Sequence, residues 1–379
     1  MEPRSRSRSK APEAAPADEK KPEVDSDDEI VHFAWKEGDV LAERYQLQKL
    51  LGDGAFGRVL LAKDSEKEVA LKVIRDVERY TENAQVEAQI LQDLRKADPE
   101  ETSRCVIMYD TFMHGKHFCM VFELLGDSLY DFLKWNGFRG YWVQDIQGIA
   151  DQSLKALKFL HDLGLTHTDL KPENIVLQTR EPAHVSSFPR WEHQPVSEPY
   201  VNLPFMRPAS TAIKLIDFGN ATYIDMHHSS VINTRQYRAP EVILQVGWGE
   251  KSDLWSLGCI LMELYTGHVL FDTHASLEHL ALIERILDRI PAVMLLRASR
   301  KAKSRYINIE AESLWWPDGA EDEESVLHVC RQWQLFHLAP EEHQVFVDFV
   351  RILLTIEPSE RPDAAEASKH GFLTSKLQE

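Results

Sequence analysis

The sequence predicts an α+β protein of two unequal lobes, and two observations carry that prediction. From Tyr45 onward the chain reads as strands: YQLQKLL alternates, and RVLLAK and EVALKVI follow across the turn Asp64 to Lys67. The remainder reads as helices, among them LWSLGCILMELYTG at 254–267, which is apolar on nearly every side, as a helix at the centre of a large lobe must be. A β-rich first part followed by a helical remainder segregates strands from helices, the mark of an α+β architecture. With 379 residues, 43% of them hydrophobic, the chain can bury a sizeable core.

Taken in order, residues 1–30 form a tail rich in Ser, Arg, Pro, Glu and Asp and poor in branched and aromatic side chains. Such a segment cannot offset its ordering entropy by burial and is expected to be disordered. Order is expected to begin between Val31 and Tyr45. A helix is predicted from about Val77 to Lys96, with Tyr80, Ala84, Leu91 and Leu94 on its apolar face. Two further strand-like runs, CVIMYDTFMH and HFCMVFELL, flank Gly115. After Gly126 the pattern turns helical: Val143 to His161 places Ile146, Ile149, Leu154, Leu157 and Leu160 on one side, and Gly164 stands just past its end. The smaller lobe is thus expected over about 38–125 and the larger over about 126–377. Residues 178–212 are Pro-rich with weak periodicity and are read as an insertion.

Composition excludes several function classes. No apolar run reaches the ~18–20 residues of a membrane-spanning helix, and the first residues lack a signal-peptide apolar stretch. The four cysteines (Cys105, Cys119, Cys259, Cys330) are scattered without a C-x-x-C pair, which fits a reducing compartment and no zinc site. The formal net charge is -18, from 43 Lys+Arg against 61 Asp+Glu, so a phosphate backbone would be repelled and direct nucleic-acid binding is not expected. Of that charge, -3 lies in residues 1–29, -4 in residues 30–125 and -11 in residues 126–379. Glu310 to Glu324 contains seven acids and no base. That run is either a solvated loop or the source of a field that draws in an Arg-rich ligand.

The residues that carry chemistry are spread along the chain. Gly52-Asp53-Gly54-Ala55-Phe56-Gly57-Arg58-Val59 matches G-x-G-x-x-G-x-V. A glycine triplet also occurs in dinucleotide-binding folds, but there it opens a helix, whereas RVLLAK reads as a returning strand. A glycine-rich hairpin lets backbone approach a nucleotide's phosphates. Ala70 and Lys72 share one face of the next strand. Glu87 falls on the apolar stripe of the following helix, where a carboxylate is costly unless paired, so a Lys72–Glu87 ion pair aiming the amine at phosphates is expected. His167-Thr168-Asp169-Leu170-Lys171-Pro172-Glu173-Asn174 and Asp217-Phe218-Gly219 complete the set. Phosphoryl transfer needs a carboxylate at the incoming hydroxyl, oxygen ligands for metal ions on the phosphates, and a cation on the transferred group. Asp169 suits the first role, Asn174 and Asp217 the second, and Lys171 the third.

In this order and spacing these residues resemble the eukaryotic protein kinases, with a resemblance that runs from about Gly38 to Leu377 and places a kinase domain over 45–372. It implies the bilobal protein kinase fold, ATP and Mg2+ as cofactors, and a serine/threonine-type loop, since Lys171 stands two residues after Asp169. Ala239-Pro240-Glu241 is similar to the end of an activation segment, Asp253 to the residue that braces the catalytic loop, and Arg361 to the partner of Glu241. Thr234 is expected to tie the activation segment to Asp169 and Lys171. The nucleotide pocket implied is Leu51, Gly52, Gly54, Phe56, Gly57, Val59, Ala70, Lys72, Glu87, Phe122, Glu123, Leu125 and Val176. Phe122 stands at the rear-pocket position, Glu123 to Leu125 at the adenine hinge, and Val176 where Leu is usual beneath the adenine.

A closer similarity is to the LAMMER, or Cdc-like, kinases. HTDLKPEN at 167–174, YRAPEVIL at 237–244 and GWGEKSDLWSLGC at 247–259 look like that family, and EHLALIERIL at 278–287 is similar to its naming motif EHLAMMERIL, with Leu282 and Ile283 replacing two methionines. The resemblance implies a dual-specificity kinase that phosphorylates serines in Arg-Ser-rich splicing factors and autophosphorylates on tyrosine. It further implies a nuclear location, with the cytoplasm as a second site, and a monomer. The Arg-Ser run Arg4 to Ser9 is read as a nuclear-targeting element, an autophosphorylation site or solvated tail. RASRKAKSR at 297–305 is a basic exception in the acidic lobe and is read as a solvated helix end, with a site that holds phosphorylated product as the alternative. Thr168 replaces the usual Arg, so an activation-loop phosphate loses its ordinary partner and strict dependence on such a phosphate is not expected. The alternatives are an SR-protein kinase or Tyr-regulated dual-specificity kinase, disfavoured because Ala221 to Arg238 holds no Tyr-x-Tyr pair, and a dead kinase-fold scaffold, disfavoured because Lys72, Asp169, Asn174 and Asp217 are all present.

Overall fold

Residues 33–180, 184–186, 204–226 and 229–377 are described by a computed structural model of the chain. The 1–30 tail with its Arg-Ser run lies outside them, as does much of the 178–212 insertion. Strands β1 (Val40–Leu41), β2 (Tyr45–Asp53), β3 (Gly57–Asp64), β4 (Lys67–Ile74), β5 (Met108–His114) and β6 (His117–Glu123) form one antiparallel sheet in the order β1-β2-β3-β4-β6-β5. The positive-φ turn at Gly115 (φ 59°) joins β5 to β6 as the sequence predicted.

One face of the sheet meets helix α1 (Glu78–Ala97), whose buried side chains are Ala84, Glu87, Ala88, Ile90, Leu91 and Leu94. The opposite face is covered too, by Leu47, Leu60, Leu71 and Val121 packed under Phe33 and Trp35. That cover was not foreseen. Arg58 Nη1 donates to Phe33 O at 2.8 Å, and the Phe33 ring meets His117 edge-on with centroids 5.1 Å apart. Antiparallel sheets often leave one face to water, whereas this one uses the preceding segment as a lid.

The larger lobe opens with α2 (Leu129–Trp135) and α3 (Val143–Asp162), followed by short strands β7 (Leu165–Thr166) and β8 (Ile175–Leu177). Two brief pairs, β9 (His184–Ser186) with β10 (Phe205–Arg207) and β11 (Ile213–Leu215) with β8, lead to β12 (Thr222–Tyr223), which returns to β7. Beyond come α4 (Pro240–Leu244), α5 (Lys251–Thr266), α6 (Ser276–Ile286), α7 (Ala292–Arg297), α8 (Arg300–Tyr306), the hairpin β13 (Ile307–Asn308) and β14 (Ser313–Leu314), α9 (Glu323–Arg331), α10 (Gln344–Leu353) and α11 (Ala364–Ala367). As the all-round apolar pattern predicts, α5 is buried from Ser252 through Tyr265.

The insertion is more regular at its base than its weak periodicity suggests. Its described ends pair as β9 and β10 and are stitched to the lobe. Asn136 exchanges hydrogen bonds with Met206 through Nδ2→O (2.8 Å) and N→Oδ1 (2.9 Å). Arg207 forks onto Asp145 at 2.9 and 2.6 Å while its guanidinium lies 4.1 Å from the Trp142 ring centroid. A bidentate, stacked arginine is the geometry that lysine cannot reproduce.

Candidate active site

The two lobes meet at a cleft of about 480 Å³. From the smaller lobe, β2 and β3 form its roof, with Leu51, Gly52 and Val59 lining it, and β4 contributes Ala70 and Lys72. Gly57 is required for packing: a Cβ there would stand 2.3 Å from Val73 O on β4. Gly52 has nothing within 4 Å of such an atom, so the loop is open on the cleft side. Gly54 and Phe56 sit at the hairpin tip, where Gly54 N bonds Gly57 O at 2.9 Å and Phe56 meets Tyr80 of α1 edge-on at 5.2 Å. These two and Gly57 are absent from the cleft lining, unlike the rest of the sequence-predicted pocket.

Lys72 Nζ lies 3.0 and 2.8 Å from the two carboxylate oxygens of Glu87. The pairing expected from a carboxylate on an apolar stripe is therefore formed. Burial by itself would lower the Lys72 pKa, but the nearby charges of Glu87 and Asp217 outweigh it and raise it, so the amine stays cationic. Phe122, Glu123 and Leu125 line the back of the cleft, and Val176 and Ile216 its floor. The Glu123 carboxylate is spent elsewhere, 3.2 Å from buried Lys214 Nζ and accepting from Ile107 N at 2.8 Å. Val106, Asp131 and Glu173 also line the cleft and were not predicted. Glu173 at least lies inside the HTDLKPEN run, whereas Asp131 carries no motif signal.

The loop after β7 is held from below by Asp253. Its Oδ2 accepts from His167 N at 2.8 Å and its Oδ1 from Thr168 N at 3.0 Å. Thr168 is thereby kept at φ 67°, a left-handed conformation that a β-branched residue adopts only under constraint, and its hydroxyl donates to Asn220 O at 2.6 Å. Asp217, at φ 64°, is a second such residue at the cleft.

Asp169 comes next. Its Oδ1 accepts from Thr234 N (3.2 Å) and Thr234 Oγ1 (2.8 Å), and its Oδ2 from Lys171 Nζ (2.7 Å). Burial pushes the Asp169 pKa up, but hydrogen bonding and charge from Lys171, with help from Thr234 and His167, bring it net below the usual carboxylate value. A carboxylate offers about four lone-pair sites, so three are occupied and one on Oδ2 remains. Asn174 Nδ2 donates to Asp169 O at 2.9 Å, which leaves its carbonyl oxygen as the acceptor beside Asp217 in the cleft. No group of three or more His, Cys, Asp or Glu capable of caging a metal occurs among the described residues. One carboxylate and one amide oxygen suit Mg2+, which takes few protein ligands and completes its shell with water and phosphate oxygens.

The chain matches the sequence model of the protein kinase domain over residues 45–373. It is 41% identical to the mouse (Mus musculus) dual specificity protein kinase CLK1 over 91% of this chain and 69% of that one. It is equally identical, 41%, to serine/threonine-protein kinase AFC1 of Arabidopsis thaliana over 93% of this chain and 76% of that one. The chain belongs to the LAMMER, or Cdc-like, family of dual-specificity protein kinases. A solved crystal structure of a kinase domain, 42% identical, superposes with a TM-score of 0.85 over 91% of this chain and all of that one. The SR-protein and Tyr-regulated alternatives are not favoured by these relatives.

The LAMMER motif itself lies away from the cleft, on α6. Leu282 and Ile283, in place of the methionines, are buried at 1% and 0% exposure, and apolar side chains of similar volume are what such a site tolerates. Glu278 accepts from Thr273 Oγ1 at 2.6 Å and is bonded by Ser325 at the start of α9. In this LAMMER kinase the motif ties α6 to neighbouring segments.

Proposed function

We propose that the chain transfers the γ-phosphate of ATP to serine hydroxyls in Arg-Ser-rich proteins, splicing factors among them, and to its own tyrosines. The observation that carries the reading is the Thr234–Asp169–Lys171 cluster beside an intact Lys72–Glu87 pair. Lys72, oriented by Glu87, holds the α- and β-phosphates under the Gly52–Val59 roof. The free lone pair on Asp169 accepts a hydrogen bond from the incoming hydroxyl and aims its oxygen at the γ-phosphorus. The new O–P bond forms as the bond to the β–γ bridging oxygen breaks, ADP leaves, and the hydroxyl proton passes to Asp169. Lys171 offsets charge on the transferred group. Mg2+, when bound at Asn174 and Asp217, neutralises charge on the phosphate oxygens. The Val176 floor, smaller than Leu, leaves slightly more room beneath the base.

Support for a cationic substrate comes from charge. All seven acids between Glu310 and Glu324 are exposed. Three of them have a local structural use: Asp322 Oδ1 caps α9 by accepting from Ser325 N at 2.8 Å, and Glu323 and Glu324 occupy its first turn, where the helix dipole favours anions. The other four have no such role in a helix start and are the better candidates for attracting arginine. Neutralising them (E310Q, E312Q, D318N, E321Q) is expected to raise KM for an Arg-Ser peptide about 3- to 10-fold at ~25 mM salt, to leave KM for ATP unchanged, and to lose its effect near ~0.3 M salt as charges are screened. A nuclear location and a monomeric state complete the proposal. A peptide panel tests the substrate class: kcat/KM for Arg-Ser repeats should exceed that for proline-directed sites at least tenfold, and the reverse order would refute it.

A further inference from the structure

The tip of the Gly52–Val59 hairpin is fastened from outside the cleft, by residues that no motif marks. Below the tip the hairpin is closed by Asp53 and Arg58, which face each other across the β2–β3 ladder and pair at 3.1 Å. At the tip itself one residue takes two carbonyls. Arg75 Nη2 donates to Gly54 O at 2.8 Å, and Arg75 N donates to Phe56 O at 3.0 Å. Arg75 opens the short joint, residues 75–77, between β4 and α1, and Val77 N→Arg75 O at 2.8 Å folds that joint back on itself. The Arg75 Nε is buried without a hydrogen-bond partner among the described residues, so the side chain holds this pose against a desolvation cost.

Phe56 supplies a second fastening. Its ring is 58% exposed, does not line the cleft, and meets Tyr80 edge-on with centroids 5.2 Å apart. Aromatic pairs of this geometry are attractive beyond the area they bury. Tyr80 stands in the first turn of α1, and Glu87 follows about two turns later on the same face. The hairpin tip and the carboxylate that orients Lys72 are therefore attached to one helix. The peptide plane adds a consequence for phosphate. With the Gly54 carbonyl held on the Arg75 cation, the N–H of Ala55, opposed to it across the trans peptide, points the other way.

We propose that Arg75 and Tyr80 are positioning residues for the phosphates of ATP: they latch the tip of the glycine-rich hairpin to the start of α1, so that the roof is preset before nucleotide enters and moves with the Lys72–Glu87 pair. Neither residue lines the cleft, so each acts through the loop rather than on the nucleotide. A loop that is already ordered need not be ordered by its ligand, so the latch lowers the cost of binding a triphosphate. It does nothing for a nucleoside, which has no phosphates to place under the tip. The proposal rests on the ATP reading of the cleft and is independent of the Arg-Ser reading.

The test is equilibrium binding of Mg-ATP and of adenosine by calorimetry, with hydrogen exchange of the nucleotide-free full chain as a readout that needs no ligand. Arg75→Ala and Tyr80→Ala should each weaken ATP about 3- to 10-fold, keep adenosine within about twofold, and speed exchange of the 52–59 amides without changing α3. Arg75→Lys still offers an ammonium to Gly54 O and Tyr80→Phe keeps the ring, so both should stay close to wild type. The main-chain bond from residue 75 to Phe56 O persists in every variant, which isolates the side chains. Phe56→Ala/Tyr80→Ala should be no weaker than Phe56→Ala alone, since one substitution already opens the contact. Equal losses for ATP and adenosine, the mark of a merely structural role, would overturn the proposal. So would unchanged exchange over 52–59, additive losses at Phe56 and Tyr80, or failure of the two conservative variants to retain ATP affinity. Wild type that bound adenosine but not ATP would refute the ATP reading of the cleft, and the exchange comparison, made without nucleotide, would still decide the latch.

Discussion

Asp169→Asn should lower kcat by about 10³-fold while leaving KM for ATP and the melting temperature nearly unchanged, as measured by phosphate transfer to an Arg-Ser peptide and by thermal denaturation. The exchange is isosteric, so the change is one of charge and acceptor capacity. The carboxylate receives hydrogen bonds from Thr234 N, Thr234 Oγ1 and Lys171 Nζ, and the remaining lone pair is the one proposed to face the substrate hydroxyl. An amide keeps only one accepting oxygen and directs N–H groups at either Thr234 or Lys171. General-base positioning is worth about 10²–10⁴-fold, which sets the size of the effect. The ATP contacts proposed above run through Lys72 and the roof, which the exchange leaves in place. Equal rates for the two proteins would remove the proposed mechanism.

The largest effect on stability is expected at Arg361. Its guanidinium and the Glu241 carboxylate are 0% and 1% exposed and meet as a fork at 2.7 and 2.9 Å. The remaining donors reach Thr355 O (2.9 Å) and Lys251 O (2.8 Å), and Trp255 lies beneath at 5.2 Å from the ring centroid. The one side chain thus fastens α4, the start of α5 and the segment after α10. Arg361→Ala leaves Glu241 charged and buried without a partner, a loss of about 3–5 kcal/mol and about 4–7 °C in Tm for a domain of this size. Arg361→Lys should recover only part of it, because an ammonium cannot reproduce the fork. A Glu241→Gln/Arg361→Met double variant should lose less than Arg361→Ala alone. Additive losses would show that the two side chains act separately.

How much of this was readable beforehand depended on distance along the chain. Short-range pattern exposed α1, α3, α5 and the β5–β6 hairpin, because their periodicities are local. The Lys72–Glu87 pair was readable because a single carboxylate on an apolar stripe demands a partner, and the alternation of β4 supplied one. The contacts that escaped join residues far apart with no motif to link them. Phe33 and Trp35 cover the outer face of the sheet, Lys214 reaches Glu123 across the cleft's rear, and Arg207 locks the insertion onto Asp145. Each is a buried or stacked side chain whose partner is fixed by tertiary geometry alone. The glycine loop was only half readable. Its sequence suggests three glycines serving phosphate, whereas Gly57 serves the approach of β4 and Phe56 rests on Tyr80.

The central claim is that the site is assembled without an activation-loop phosphate. Asp169 is tied to Thr234 directly, the residue before it is Thr168 rather than a phosphate-binding arginine, and the Lys72–Glu87 pair is closed. Initial rates of phosphate transfer to an Arg-Ser peptide by phosphatase-treated Ser229→Ala/Ser230→Ala enzyme, compared with untreated wild type, test this most directly. The account predicts kcat within about twofold, since no charge-assisted contact to an activation-segment phosphate is needed to hold the site. A loss of tenfold or more, recovered when those serines are restored and phosphorylated, would contradict it.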